Sequence, residues 1–103
     1  MKRIIDSSEA LGTVATPEGL CEVCAAAEAN YDEEAECLIV NLDAFLRTTD
    51  LRAKEKSFSA DWLPKPETLR ESVGPEETVD LAREIFHRWV HKVREAVPAL
   101  SHR

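Results

Sequence analysis

Two stretches of the chain repeat their apolar residues at three- and four-residue steps. In the first, Leu20, Val23, Cys24 and Ala27 lead into Tyr31, Ala35, Leu38, Leu42, Phe45 and Thr49, widened by Ile39 and Leu46. In the second, Val79, Ala82, Phe86, Trp89, Val93 and Val97 recur in the same way, broadened by Ile85 and Val90. That period belongs to amphipathic helices. Thr16-Pro17 offers an N-cap hydroxyl and a first-turn proline to the first stretch, and Ala25-Ala26-Ala27 adds helix propensity. Asn30 with Glu33 reads as a capping box. The stripe from Leu20 to Thr49 fits one long helix, but the capping box favours a break at Asn30.

Arg52, Lys54, Glu55 and Lys56 close that helical region, and the second stretch opens at Pro75-Glu76-Glu77 and stops before Pro98. Between them, Ser57 to Pro66 reads as a connecting loop. Its Phe58, Trp62 and Leu63 are too apolar for a free linker and are expected to lie back over the helices. A short helix is expected over Glu67–Val73, closed by Gly74. Residues 1–16 carry a short apolar run, Ile4-Ile5, that as a strand would have nothing to pair with. They are expected to be irregular or a short helical turn, and 98–103 a frayed tail. The predicted fold is therefore all-α: a small helical bundle of three main helices, a short helix and an aromatic-containing loop. One domain spans 1–103, with a core dominated by Leu38, Leu42, Phe45, Phe86, Trp89 and Val93.

Composition supports an ordinary globular chain. Of 103 residues, 44% are hydrophobic and 32% charged. At this size roughly two-thirds of the extended surface is buried on folding, enough for a core without a metal or disulfide staple. Charge excludes more. Thirteen basic residues against twenty acidic give a net charge of −7, which disfavours direct binding to nucleic acid or an anionic membrane. No apolar run approaches a membrane span, and Asp6-Ser7-Ser8-Glu9 ends the N-terminal apolar run too early for a signal peptide. Three cysteines, an odd count, point to free thiols and the cytoplasm.

The chemistry-bearing residues form two sets. Cys21 and Cys24 make a C-x-x-C followed by Cys37, and Glu84, His87 and His91 lie on one stripe of the last helix beside Asp80. Together they are the candidate zinc or iron ligands. Their context argues against the site: the cysteine pair lies in a helical stretch with no knuckle turn, and the histidine stripe faces away from Phe86, Trp89 and Val93. No nucleophile elbow, phosphate loop or His-Glu-x-x-His occurs, so no catalytic residue and no cofactor is assigned. The expected function is a non-catalytic, acidic protein-interaction domain of regulatory or adaptor type. Asp32, Glu33, Glu34 and Glu36 would meet a basic protein. Ile39 and Val40, with Ile85, would supply leftover apolar surface, also for a homodimer. The alternatives are a small metal-binding protein and an acidic inhibitor that imitates nucleic acid.

Overall fold

The computed structural model describes residues 1–49 and 56–97 and overturns the all-α expectation: the described residues form an antiparallel sheet bent into a half-barrel, with one α-helix among them. Three long strands form the meander β1 (Lys2–Thr16), β2 (Gly19–Asp32) and β3 (Cys37–Thr48). The short β4 (Ser57–Phe58) and then β5 (Glu67–Ser72) both pair with β3, at opposite ends of it. A 3₁₀ turn at Pro75–Glu77 leads into the helix α1 (Thr78–Ala96). The helix lies against β1, β2 and β3 together.

The strands arise from an alternation that the helical reading overlooked. In β2, Cys21, Val23, Ala25, Ala27, Ala29 and Tyr31 are buried; in β3 the same is true of Leu38, Val40, Leu42, Ala44 and Leu46. These residues recur at steps of two, the period of a strand with one covered face; Cys24, 1% exposed, is buried on the opposite face. The alanine run, read as helix propensity, is strand instead. Its inward members are small, which suits a strand facing the packed helix. Glu22, Glu28, Asn30 and Asp32 occupy the intervening β2 positions and are half-buried.

Other expectations fall with the helices. Residues 1–16, expected to be irregular, form β1, because β2 supplies the partner that a lone strand lacked. Glu67–Val73 is mostly β5 rather than a short helix. The homodimer patch disappears: Val40 and Ile85 are 0% and 4% exposed, in the core, and Ile39 is half-buried. Phe45 and Phe86 are also only half-buried, whereas Leu38, Leu42, Trp89 and Val93 are core residues as expected. The predicted helix end at Arg52–Glu55 and the tail 98–103 lie outside the described residues.

The last helix and the loop keep their roles. α1 buries Thr78, Ala82, Ile85, Trp89, Val90 and Val93, with Asp80 in its first turn and Arg94 in its last, as the helix dipole favours. Leu63 is buried, while Phe58 and Trp62 pack partly against the core, over the sheet rather than over helices. The β1–β2 turn rests on Pro17 and on Gly19, whose φ of +103° suits glycine; the Thr16 hydroxyl donates to the Gly19 carbonyl at 2.8 Å.

One bond fixes the helix on the sheet. Trp89 Nε1 donates to the backbone carbonyl of Asp43 at 2.7 Å. Asp43–Phe45 is the part of β3 that neither β4 nor β5 pairs with, and the Asp43 carboxylate accepts the Ala44 N–H at 2.9 Å. Lys92 lies 5.5 Å from the Trp89 ring centre and reaches Glu67 of β5 at 2.8 Å.

Ala25, with 0% exposure on the covered face, gives a direct test. Ala25→Leu should destabilise the fold by about 1–3 kcal/mol through overpacking, whereas in a solvent-facing helix it would be neutral. Urea unfolding of both chains measures the difference.

Candidate functional site

The acidic segment starts no helix. It forms the β2–β3 turn, and its cap is Asp32 rather than Asn30: the Asp32 carboxylate accepts the N–H groups of Glu34 and Ala35 at 3.1 and 3.2 Å. Asn30, well inside β2, donates to Glu28 at 3.1 Å. Glu36 closes the turn in the left-handed region, with φ of +50°. Glu33, Glu34 and Glu36 are all exposed.

The fold adds further acids to this end of the molecule. Tyr31, the penultimate residue of β2, is 3% exposed, and its hydroxyl donates to the Val73 carbonyl at 2.8 Å. Val73 N–H in turn donates to the Glu36 carbonyl at 3.2 Å. These two bonds tie the turn to the segment that opens α1, which carries Glu76 and Glu77. Burial, and then the carboxylates of Glu36, Glu33 and Glu76 and the Cys37 thiol, push the Tyr31 phenol above its ordinary value. The two hydrogen bonds thus bring the turn carrying Glu33 and Glu36 to the segment carrying Glu76, about forty residues later in the chain. The sequence singled out Asp32 to Glu36 but missed Glu76 and Glu77, which there read only as acids favourable to a helix start.

The proposed metal ligands are dispersed. Cys21 and Cys24 are three apart in a strand, an odd step, so they point to opposite faces of the sheet. Cys37 lies opposite Asp32, whereas Cys21 lies opposite Thr48, a separation of roughly 36 Å along β3. None of the three forms a disulfide, and Cys37 alone is half-exposed. Glu84, His87 and His91 are exposed on α1. His91 faces Glu95 at 3.0 Å, and His87 lines a cleft beside β1. Among the described residues no three histidine, cysteine or acidic side chains converge as ligands would.

Two of the open clefts among the described residues flank the strands and helix described above. One of about 370 Å³ lies beside the unpaired part of β3, between Phe45, Phe58 and the loop through Asp61 and Lys65. The other, about 540 Å³, separates β1 from α1. Serines line both beside acidic or basic side chains, but no hydrogen bond joins any of these hydroxyls to a carboxylate or an imidazole. Among the described residues, no helix is long and apolar enough to cross a membrane. No protein-family model, curated protein or solved structure matches this chain.

Tyr31 is the chain's one tyrosine, so its titration reports the acidic end directly. Phenolate absorbance should rise at a pH above the ordinary value of 10.0, and Glu36→Gln should move the transition back toward it. Because the raised value belongs to the folded state, its contribution to stability is complete below the unfolded value. It is lost as pH rises through the folded one. The parent should therefore lose more stability than Tyr31→Phe across that window, read as the difference in thermal unfolding midpoints.

Glu36 supplies a second test. Glu36→Gly should be neutral or stabilising by up to about 1 kcal/mol, and Glu36→Ile destabilising by about 1–2 kcal/mol, since the left-handed region penalises a branched side chain most. Equal midpoints for the two variants would contradict the assigned turn conformation.

Proposed function

We propose that this chain is a non-catalytic, acidic protein-interaction domain that binds a basic protein through the end formed by the β2–β3 turn and the start of α1. The observation that carries the reading is the pair of hydrogen bonds, Tyr31 to Val73 and Val73 to Glu36, that holds the turn with Glu33 and Glu36 against the segment with Glu76. Asp32, Glu34 and Glu77 lie in the same two segments and extend the acidic surface. Like charges held together raise the energy of the folded chain, so a binding site is a physical reason to keep them there. A rigid β-turn tied by two backbone-carbonyl hydrogen bonds presents these carboxylates with little ordering left to do on binding.

Ile39 and Val40 leave this reading as a contact pair. Val40 belongs to the core, and Ile39 stands half-buried on the outer face of the sheet. The absence of a disulfide among Cys21, Cys24 and Cys37 is consistent with a cytoplasmic setting.

The experiment is affinity capture from native extract with the parent chain and with Glu33→Gln/Glu36→Gln/Glu76→Gln, each at low and high salt. The captured protein is identified by mass spectrometry and its affinity then measured with purified components. The reading expects a partner of basic composition, with affinity reduced at least tenfold by the triple variant and falling as salt rises. An affinity indifferent to both salt and the three substitutions overturns it. Because the substituted side chains are exposed, the variant's unfolding midpoint should stay close to that of the parent.

A further inference from the structure

The outer edge of β1 faces no neighbour among the described residues, since β1 pairs with β2 alone. The ladder shifts register between Arg3 and Ile5 and again between Ala10 and Gly12, which blunts both ends of the edge. Between the shifts, Ile5 to Ala10 runs in unbroken register against Ala29 to Cys24. This stretch also walls the 540 Å³ cleft, whose other wall is α1 with Arg83, Phe86, His87 and Val90. Phe86 and Ile5 are half-buried there. Arg83, His87 and Glu9 are exposed and have no hydrogen bond or ion pair among the described residues.

We propose that a second copy of this chain pairs antiparallel along β1, about a twofold axis at Ser7, making one sheet continuous through both copies. The edge is self-complementary in that register. Asp6 falls opposite Ser8 and Ile5 opposite Glu9, so no two acids meet across the axis. Ile5, Ser7 and Glu9 lie opposite Ala29, Ala27 and Ala25, whose side chains face the core, so all three point to the helix side of the sheet. Glu9 of each copy thus comes to the cleft where the other carries Arg83 and His87. This reciprocity is what a twofold contact requires, and backbone pairing with pockets for alternate side chains is a common mode of strand addition. The surface is separate from the acidic turn, so dimerisation and capture of a basic partner can fail independently.

Sedimentation equilibrium of the full chain tests the proposal. The parent should sediment at twice the chain mass. Thr48 N–H donates to Lys56 on the β4 side, and alternation across the ladders from that point turns the Ser8 N–H away from β2. Ser8→Pro therefore removes no bond within the sheet but blocks an incoming strand. It should give a monomer with the parent's circular dichroism. Arg83→Glu should weaken the dimer at least tenfold, and Glu9→Arg/Arg83→Glu should restore it. Oxidised Ser7→Cys should form a covalent dimer that the parent does not. A parent that is monomeric up to about 100 µM overturns the proposal, as does a dimer indifferent to both Arg83→Glu and Ser8→Pro. Should Ser8→Pro unfold, Arg83→Glu and its charge-swapped rescue decide.

Discussion

A curved sheet with one apolar face must have that face covered, and among the described residues α1 is the only helix available to do it. Everything else in the fold accommodates this contact. β2, at the centre of the three long strands, presents Ala25, Ala27 and Ala29 inward, all 3% exposed or less. Small side chains there match the bulk that α1 brings in Ile85, Trp89 and Val93. Trp89 then adds direction to a contact that apolar packing alone would leave free to slide. Its indole N–H needs an acceptor once buried, and the Asp43 carbonyl supplies one at a single place on β3.

The same contact determines what the molecule can present to others. With the inner face closed, the exposed features are the outer face of the sheet, its ends and the β1 edge. On the outer face, charges largely pair with one another: Arg47 with Glu22 at 3.2 Å, and Arg3 with Asp6 at 3.2 Å and with Glu28 at 3.8 Å. Such surface pairs contribute at most about 1 kcal/mol each. They do, however, neutralise acids that would otherwise extend the negative surface. The turn at Asp32–Glu36 and the start of α1 carry acids without that compensation. Among the described residues, these two segments bring several such acids to one end of the molecule.

The chemistry expected of the cysteines depended on a helix that does not form. On a helix, Cys21 and Cys24 would share a face. On β2 they point to opposite faces, and the hairpin carries Cys37 to its far end. The acidic segment lost its helix too but kept its local physics. A carboxylate capping free N–H groups stabilises the first turn of a helix and a tight hairpin turn alike, so Asp32 to Glu36 remained exposed and together in either fold.

Legibility followed the parity of the apolar steps. α1 buries Ala82, Ile85, Trp89 and Val93; the step of three between Ala82 and Ile85 fits a helix and cannot fit a strand with one covered face. That element was readable from the sequence, along with the net charge and the acidic turn. On the covered face of β2 and β3 the buried steps are all even, although Cys24 is buried on the other face as well. Leu38 and Leu42, four apart, satisfy both periods, and helix-favouring alanines tipped the reading the wrong way. Local propensity carries no information about a helix sixty residues later that packs against those alanines. Nor does it show that β2 pairs with residues 2–16, or that Val73 and Tyr31 bring Glu76 to Glu36. Those are contacts between distant parts of the chain, and only the tertiary structure decided them, because each strand gains its stability from a neighbour it does not itself encode.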